Sequence, residues 1–148
     1  MIVKSRNFGE IEVEESSIIT FDEGIPGFEQ LRKFVLVTDD DNPFYWLQSA
    51  EDKDIAFAML DIFKYIPDYN PCVEDDLVKD IVDKEEKDIE IYNIAVIPED
   101  VEKMTVNLKA PVIINTKSMK GKQVISNNEE YPIKYYIYKE IKKLKEGV

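Results

Sequence analysis

The feature that most constrains the fold of this chain is a recurring alternation of apolar and polar residues. Ile11 and Val13 alternate with Glu10, Glu12 and Glu14 near the start of the sequence. Successive side chains of a β-strand point to opposite faces, so this pattern predicts a strand with one buried face and one solvated face. The chain is therefore expected to be built mainly from strands.

Further apolar runs of strand length follow one another, separated by turn residues. Runs 44–48 and 55–60 flank four charged residues at 51–54, which predicts an antiparallel hairpin. Pro26 followed by Gly27 suits the central positions of a type II turn, where the second residue takes positive φ. The other strand-like runs are 17–21, 34–37, 89–97, 104–110, 112–114 and 123–126. This arrangement predicts a mainly β, compact antiparallel β-barrel-like domain or two packed sheets, with one or two peripheral short helices.

Two segments have helical periodicity instead. Ile137, Ile141 and Leu144 are spaced four and three apart among lysines, which predicts a C-terminal amphipathic helix. We therefore expect a β domain over 1–133 and a basic amphipathic tail over 134–148 that caps the barrel; contact with an acidic surface or a membrane is the alternative. A short central helix with an acidic first turn is predicted from four apolar residues, Val73, Leu77, Val78 and Ile81.

Composition removes most catalytic chemistry. The 148 residues contain no histidine and one cysteine, Cys72, so imidazole catalysis, an internal disulfide and a cysteine-based zinc site are all excluded. We expect Cys72 to be an inert, buried or half-buried thiol. The acidic clusters at 39–41 and 51–54 lie between apolar runs, where they are typical of solvated turns. No calcium loop or phosphate loop is present. The sequence predicts a protein with no enzymatic activity, no cofactor and no metal.

Charge is distributed unevenly along the chain. Residues 1–100 carry 26 acidic and 9 basic side chains, a balance of −17, whereas residues 101–148 carry 5 acidic and 10 basic, a balance of +5, which together give the net −12. An acidic body repels phosphate and attracts basic proteins, so direct nucleic-acid binding is not expected. The basic segment 117–122 is interpreted as a solvated hairpin turn, with phosphate contact as the alternative.

Four large apolar side chains stand in a row at 44–47. Alternation places Phe44 and Trp46 on one face of a strand and Tyr45 and Leu47 on the other, so both faces are apolar. One face can fill the barrel interior, and the other needs a cover. That cover is either another part of this protein or an apolar helix of a partner, for which aromatic side chains are good anchors.

Four ordered sequence blocks closely resemble the flagellar assembly factor FliW family. They are EGIPGFE at 23–29 with FVL at 34–36, PFYWLQS at 43–49, NLKAPVIIN at 107–115, and GKQVI at 121–125 leading to YPI at 131–133. The resemblance extends from about Met1 to Ile133. It is weakest across 62–88, and the tail from Lys134 matches no pattern of the family.

The resemblance implies a bacterial cytoplasmic binding protein without catalytic activity and with a compact β-barrel-like fold. Members bind newly made flagellin and also CsrA, a dimeric translational repressor that blocks flagellin mRNA, and the two partners exclude each other. When flagellin is exported, the freed factor takes CsrA off the message and flagellin synthesis resumes. We expect the free protein to be monomeric and to contact neither nucleic acid nor membrane. A flagellin secretion chaperone without CsrA antagonism is the alternative.

Four residues are candidates for the partner-binding surface because they belong to the matching blocks and occupy strand or edge positions. They are Phe44, Trp46, Asn107 and Pro111. Pro111 cannot donate a ladder hydrogen bond, so it also marks an edge, a bulge or a change of strand. A role in maintaining the fold is the alternative for each residue. Two other function classes, a carboxylate-dependent hydrolase and a direct RNA binder, fit the charge distribution less well.

Overall fold

The structure is a computed structural model, which describes residues 1–38, 40–82 and 88–145. Within these ranges, helices are few and short: α1 (Asp75–Val78), α2 (Tyr138–Lys145) and 3-10 turns at Glu15–Ser17, Ile62–Lys64 and Val101–Lys103. The strands of the described residues are β1 (Ile2–Ser5), β2 (Gly9–Glu12), β3 (Ile19–Thr20), β4 (Lys33–Thr38), β5 (Tyr45–Ser49), β6 (Ala56–Leu60), β7 (Ile89–Val96), β8 (Thr105–Val106), β9 (Val112–Asn115), β10 (Lys120–Gln123) and β11 (Tyr135–Tyr136).

Seven strands close into a barrel, which confirms the mainly β, barrel-like fold class. Strands β3 to β7 pair antiparallel in chain order, β7 then pairs with β9, and β9 pairs with β10. The circle closes where Lys120 of β10 pairs with Thr20 of β3, and this one pairing is parallel. Closure removes the exposed sheet edges that an open sheet of this size would present.

The barrel interior is filled by side chains that point inward from alternate strand positions. Its fully buried members include Phe21, Phe34, Leu47 and Met59. Burial of each such side chain contributes about 2 kcal/mol of hydrophobic stabilisation. A Cβ at Gly121 would lie 2.5 Å from the Phe21 ring, so only glycine lets β10 approach this aromatic side chain.

A second apolar cluster lies where β7 continues past the barrel. There β8 pairs with the end of β7, and β11 pairs with β8, so two short strands extend the sheet. The cluster is covered by Ile137, which precedes α2 and is fully buried. Its other buried members are Leu60, Ile62, Tyr69, Met104, Val106 and Leu108.

Several predicted elements are confirmed. Runs 44–48 and 55–60 form the expected antiparallel hairpin of β5 and β6. Gly27 has φ of +90°, as a type II turn requires. The basic segment 117–122 begins in the turn between β9 and β10, as predicted, but Lys120, Gly121 and Lys122 belong to β10. Pro111 stands at a change of strand, since β8 and β9 on either side of it both pair with β7.

Other boundaries were wrong. The strand predicted over 104–110 is only Thr105–Val106, because the Asn107 side chain binds the backbone beyond it and turns the chain. The strand placed at 123–126 occupies Lys120–Gln123. The central helix is a single turn, α1, and β11 was not foreseen.

The C-terminal segment contains the predicted helix, α2. Ile137 is buried and Ile141 is half-buried in the second cluster, whereas Leu144 remains 51% exposed. Residues 146–148 of the predicted tail and Asp39 of the first acidic cluster lie outside the described residues. Cys72 is exposed, so its predicted burial was wrong. None of the helices described by the structure is long and apolar enough to cross a membrane.

Candidate partner-binding surface

Trp46 lies on the outer face of β5 and is half-buried, because the β1–β2 hairpin covers it. The predicted alternation holds: Tyr45 and Leu47 belong to the interior cluster, whereas Trp46 contacts Phe8 from the hairpin turn, with ring centroids 6.0 Å apart. Phe8 lies between β1 and β2, and no sequence pattern indicated that it would cover Trp46. The cover for this face of the aromatic strand is therefore part of the protein itself.

Polar contacts hold the hairpin on β5. The Ser5 hydroxyl donates to Gln48 Oε1 at 2.7 Å, and both side chains are buried. The Arg6 N–H donates to the carbonyl of Lys53 at 2.9 Å. Because buried polar groups are costly unless paired, these contacts fix where the hairpin docks.

Phe44 precedes β5 and joins the Trp46 neighbourhood to the second cluster. Its ring centroid is 6.1 Å from that of Trp46, and its side chain also packs against the second cluster. The Phe44 N–H donates to Asn42 Oδ1 at 3.0 Å, which sets the chain direction at the start of the strand. We call Phe8, Phe44 and Trp46 the aromatic patch; all three side chains are half-buried.

On the opposite face of β5, Tyr45 belongs to a polar and aromatic group. Its ring lies 4.9 Å from that of Tyr92, and its hydroxyl accepts a hydrogen bond from Lys64 Nζ at 3.2 Å. That bond raises the pKa of Lys64. Burial, followed by a 2.6 Å hydrogen bond donated to Glu90, raises the pKa of Tyr92 well above its usual range. Both groups keep their neutral-pH protonation states, so neither is poised for acid–base chemistry.

Asn107 lies just after β8, where its polar atoms are used to turn the chain. Its Oδ1 accepts from the N–H groups of Lys109 and Ala110 at 3.0 Å each. Its carbonyl accepts from Asn93 Nδ2 at 2.8 Å. Asn93 is fully buried and also donates to the Tyr69 hydroxyl, and burial raises the pKa of Tyr69 to about 12.

Pro111 is buried, and its carbonyl accepts from the Val124 N–H at 3.0 Å. It thereby ties the β8–β9 connection to the end of β10. The structure thus places the four candidate residues in two segments: Phe44 and Trp46 are neighbours at the start of β5, and Asn107 and Pro111 belong to the β8–β9 connection.

The acidic residues of the N-terminal hairpin form an exposed strip. Glu10 and Glu12 on β2, with Glu14 and Glu15 after it, are all exposed. By contrast, two lysines of β10 form ion pairs with acidic residues of this chain. Lys120 lies 2.7 Å from Asp22, which raises the pKa of Lys120, and Lys122 lies 3.5 Å from Asp80. We call these four glutamates the acidic strip; in the strand register Lys4 of β1 stands opposite Glu10, so part of the negative charge of the strip is offset there.

The acidic cluster at 51–54 lies in the turn between β5 and β6, as predicted, and two of its carboxylates accept backbone hydrogen bonds. Glu51 Oε1 accepts from the N–H groups of Arg32 and Lys33 at 2.7 and 2.8 Å, which lowers the Glu51 pKa. Asp52 Oδ1 accepts from the Asp54 N–H at 3.0 Å. Across residues 1–38, 40–82 and 88–145, no group of three or more acidic or cysteine side chains is arranged to hold a metal ion.

Comparison with known proteins decides the family. The FliW protein family model matches residues 2–137. The chain belongs to the FliW family. A flagellar assembly factor FliW of Caldicellulosiruptor saccharolyticus is 50% identical over 140 residues, covering 95% of this chain and 92% of the relative. One from Thermoanaerobacter pseudethanolicus is 45% identical over 144 residues, covering 96% of each chain.

The solved structures agree with this assignment. A crystal structure of the flagellar assembly factor FliW superimposes with a TM-score of 0.86 at 33% identity, covering 93% of this chain and 96% of the other. The resemblance to the FliW family drawn from the four sequence blocks is therefore confirmed. The match to the FliW family model ends at Ile137, just before α2.

Proposed function

We propose that this chain is a non-catalytic, cytoplasmic partner switch of flagellar assembly that binds flagellin and, alternatively, CsrA. The observation that carries the proposal is its similarity, over nearly the whole chain, to proteins named flagellar assembly factor FliW. When flagellin is abundant it occupies the protein. After flagellin is exported, the freed protein binds CsrA and releases flagellin mRNA for translation.

The acidic strip supports an electrostatic mechanism for CsrA antagonism. Glu10, Glu12, Glu14 and Glu15 are exposed on one hairpin. Docked on a basic CsrA dimer, these carboxylates raise the negative potential near its RNA-binding groups and weaken mRNA contacts. The antagonism should then weaken at high salt, after correction for the salt dependence of each binary complex. Antagonism that does not change with salt would contradict this mechanism.

The aromatic patch is proposed as part of the partner surface. Phe44 and Trp46 keep part of their ring area accessible, and large rings provide contact area with few rotors to immobilise. Asn107 and Pro111 are proposed to contribute through the β8–β9 connection, whose shape they fix. A partner that reaches either segment would contact a preformed surface.

Trp46→Ala tests the role of the patch, with Trp46→Phe as the matched control. We expect Trp46→Ala to weaken partner binding about tenfold or more while a cooperative melt is retained, and Trp46→Phe to bind nearly as the parent does. Loss of the melt itself would assign Trp46 to the core. An intact melt with unchanged binding would remove Trp46 from the partner surface.

Calorimetric titration with purified flagellin and with CsrA from the same organism tests the partner assignment. Binding of both supports the switch. Binding of flagellin alone would reduce the function to that of a secretion chaperone, which is the second candidate. Binding of neither would contradict the proposed function and leave the family relationship as a statement about fold.

A further inference from the structure

A cleft of about 430 Å³ lies between the first residues of β7 and the 3-10 turn at Ile62–Lys64. Its walls are aromatic and aliphatic: Tyr45, Phe63 and Tyr92 line it, together with two isoleucines of β7. The ring centroids of Tyr45 and Tyr92 lie 4.9 Å apart, and Phe63 is 38% exposed. The volume is within the range of about 300–1,000 Å³ that is typical of ligand pockets. We call this cavity the β7 cleft.

Two carboxylates line the same cleft. Asp61 stands directly before the 3-10 turn, and Glu90 is the second residue of β7. Among the residues that the structure describes, no basic side chain lines the cleft, so the charges of its lining are negative only. A concave surface that combines aromatic rings with carboxylates is complementary to an organic cation.

The Asp61 carboxylate is half-buried and leaves its acceptor oxygens unused. It does not cap the 3-10 turn that follows it, and within the described ranges of the chain no ion pair includes it. Partly buried carboxylates usually accept hydrogen bonds, because the hydration that they lose is otherwise uncompensated. Asp61 therefore offers the cleft a carboxylate that the fold itself does not use.

Glu90 contributes a second carboxylate, which is held in place by its neighbour. The Tyr92 hydroxyl donates to Glu90 Oε2 at 2.6 Å, while Glu90 itself remains exposed. An ionised carboxylate has about four lone-pair positions, and this hydrogen bond uses one of them. Tyr92 therefore positions Glu90 at the cleft and leaves it able to accept hydrogen bonds from a ligand.

Lys64 lies beside the cleft and lines the adjoining groove, next to Pro43. Its ammonium group donates to the Tyr45 hydroxyl at 3.2 Å and lies 5.5 Å from the centroid of the Tyr45 ring. The Tyr45 ring thus already holds one cation. With Lys64 included, Asp61 and Glu90 still leave a net negative charge, and Phe63 keeps exposed ring area for a second cation.

We propose that the β7 cleft binds an arginine side chain of a protein partner. The guanidinium plane stacks on the exposed Phe63 ring, and its N–H groups donate to Asp61 and Glu90. Arginine fits this lining better than lysine, because its five donors reach two carboxylates while its flat, weakly hydrated face stays on the ring. The site goes beyond the proposed function, since it uses no residue of the aromatic patch or the acidic strip and does not depend on which protein supplies the arginine.

The test uses three capped peptides, which carry arginine, lysine or glutamine between two glycines. Each is titrated into the isotopically labelled chain, and backbone amide shifts are followed by nuclear magnetic resonance. We expect the arginine peptide to shift amides of residues 61–64 and 89–92 and to bind about threefold or more tightly than the lysine peptide, and the glutamine peptide to leave them unchanged. No shifts with the arginine peptide, shifts only elsewhere on the molecule, or equal binding of all three peptides would overturn the proposal.

Charge variants locate the site. Asp61→Asn with Glu90→Gln should weaken binding of the arginine peptide about tenfold, because two charge-assisted hydrogen bonds become neutral ones. A glutamine at position 90 still accepts from the Tyr92 hydroxyl, so the melt should be unchanged. The matched control, Glu12→Gln with Asp54→Asn, removes two exposed carboxylates elsewhere and should bind nearly as the parent does. Equal weakening in both double variants would attribute binding to net charge alone and overturn the site.

Ring variants test the stacking contact independently of charge. Phe63→Leu keeps an apolar side chain but removes the aromatic face, and it should weaken binding of the arginine peptide about threefold. Phe63→Tyr keeps the face and is the matched control, which should bind nearly as the parent does. Unchanged binding by Phe63→Leu, or equal weakening in both variants, would overturn the contact between the guanidinium group and the ring.

Free arginine distinguishes a protein partner from an amino-acid ligand. A site for the free amino acid needs a partner for its α-carboxylate, and the described residues that line the cleft include no cation. Free arginine should therefore bind no more tightly than the capped arginine peptide at the same ionic strength. If free arginine binds more tightly than the peptide, the cleft is a site for a small molecule and the proposal is wrong.

Discussion

The aromatic patch and Tyr136 of β11 show how two similar sequence patterns reach different degrees of burial. Trp46 and Tyr136 both point outward from short strands, and each directly follows a tyrosine in sequence. Trp46 is half-buried under Phe8 from a distant hairpin, whereas Tyr136 is 66% exposed. The difference lies in what packs on each strand, not in the strands themselves.

That comparison shows that coverage is a long-range property. The Ser5–Gln48 hydrogen bond that docks the hairpin joins residues 43 positions apart in sequence. Local alternation predicts which side chains share a face, but it carries no information about the element that later covers them. Whether an apolar strand face is a binding surface can therefore be judged only after the structure shows which other part of the chain covers it.

The largest expected loss of stability is at the interior face of β5. Leu47→Ala should lower the free energy of unfolding by about 3 kcal/mol, because Leu47 is fully buried in the barrel interior and truncation leaves a cavity. Chemical denaturation followed by circular dichroism measures it. A loss below about 1 kcal/mol would mean that the interior repacks freely, which a tightly filled barrel does not allow.

A smaller effect tests whether Phe8 is the cover of Trp46. Phe8→Ala should cost about 1.5 kcal/mol through lost apolar burial and the lost edge-to-face contact. Trp46 is the only tryptophan, so its emission should move to longer wavelength as water reaches the ring. Phe63→Ala, at an exposed phenylalanine that contacts Tyr69 instead, is the control and should leave the emission unchanged.

A pH-dependent contribution to stability is expected from Glu51, whose carboxylate links the start of β4 to the loop after β5. Its pKa is lowered in the folded state by hydrogen bonds from the Arg32 and Lys33 N–H groups. Its stabilising contribution is therefore fully present above the unfolded-state glutamate pKa, near 4.3, and is lost as pH falls through the lower folded-state value.

Glu51→Gln measures this contribution. Near pH 7 the substitution should cost about 0.5 kcal/mol, a small value because Glu51 is exposed. The difference in melting temperature from the parent should disappear in strong acid. Glu12→Gln, at an exposed strand position, is the control. A Glu51→Gln penalty that grows as pH falls would contradict the sign of the shift.

The smallest expected change in the free energy of unfolding is at Tyr136. Tyr136→Ser should change the free energy of unfolding by less than about 0.5 kcal/mol, because its side chain is mostly in water. Denaturant titration alongside Phe8→Ala gives the direct comparison. If Tyr136→Ser were as costly as Phe8→Ala, the two outward faces would be equally integrated into the fold, and the contrast between them would fail.

Sequence reasoning recovered the elements whose signals are local. The β5–β6 hairpin, the turn at Gly27 and the change of strand at Pro111 follow from alternation, turn chemistry and the missing proline donor. The parallel closure of β10 on β3 was not predictable, since it rests on one pairing between Lys120 and Thr20, 100 positions apart.

Two errors show why boundaries are harder. Asn107 occupies a polar position in the alternation of 104–110, so the pattern cannot distinguish a solvated strand residue from one whose side chain accepts two backbone hydrogen bonds and ends the strand. β11 is two residues long and exists because β8 offers it a partner. On the candidate surface, the sequence grouped Phe44 with Trp46 on one face but carried no signal for Phe8, their cover.

The most direct measurement of the central claim is a competition titration. The chain is saturated with flagellin from the same organism and then titrated calorimetrically with CsrA, and the order is then reversed. A partner switch predicts that the heat of CsrA binding disappears when flagellin is bound, and that CsrA likewise abolishes flagellin binding. Simultaneous binding of both partners with unchanged affinities would contradict the switch.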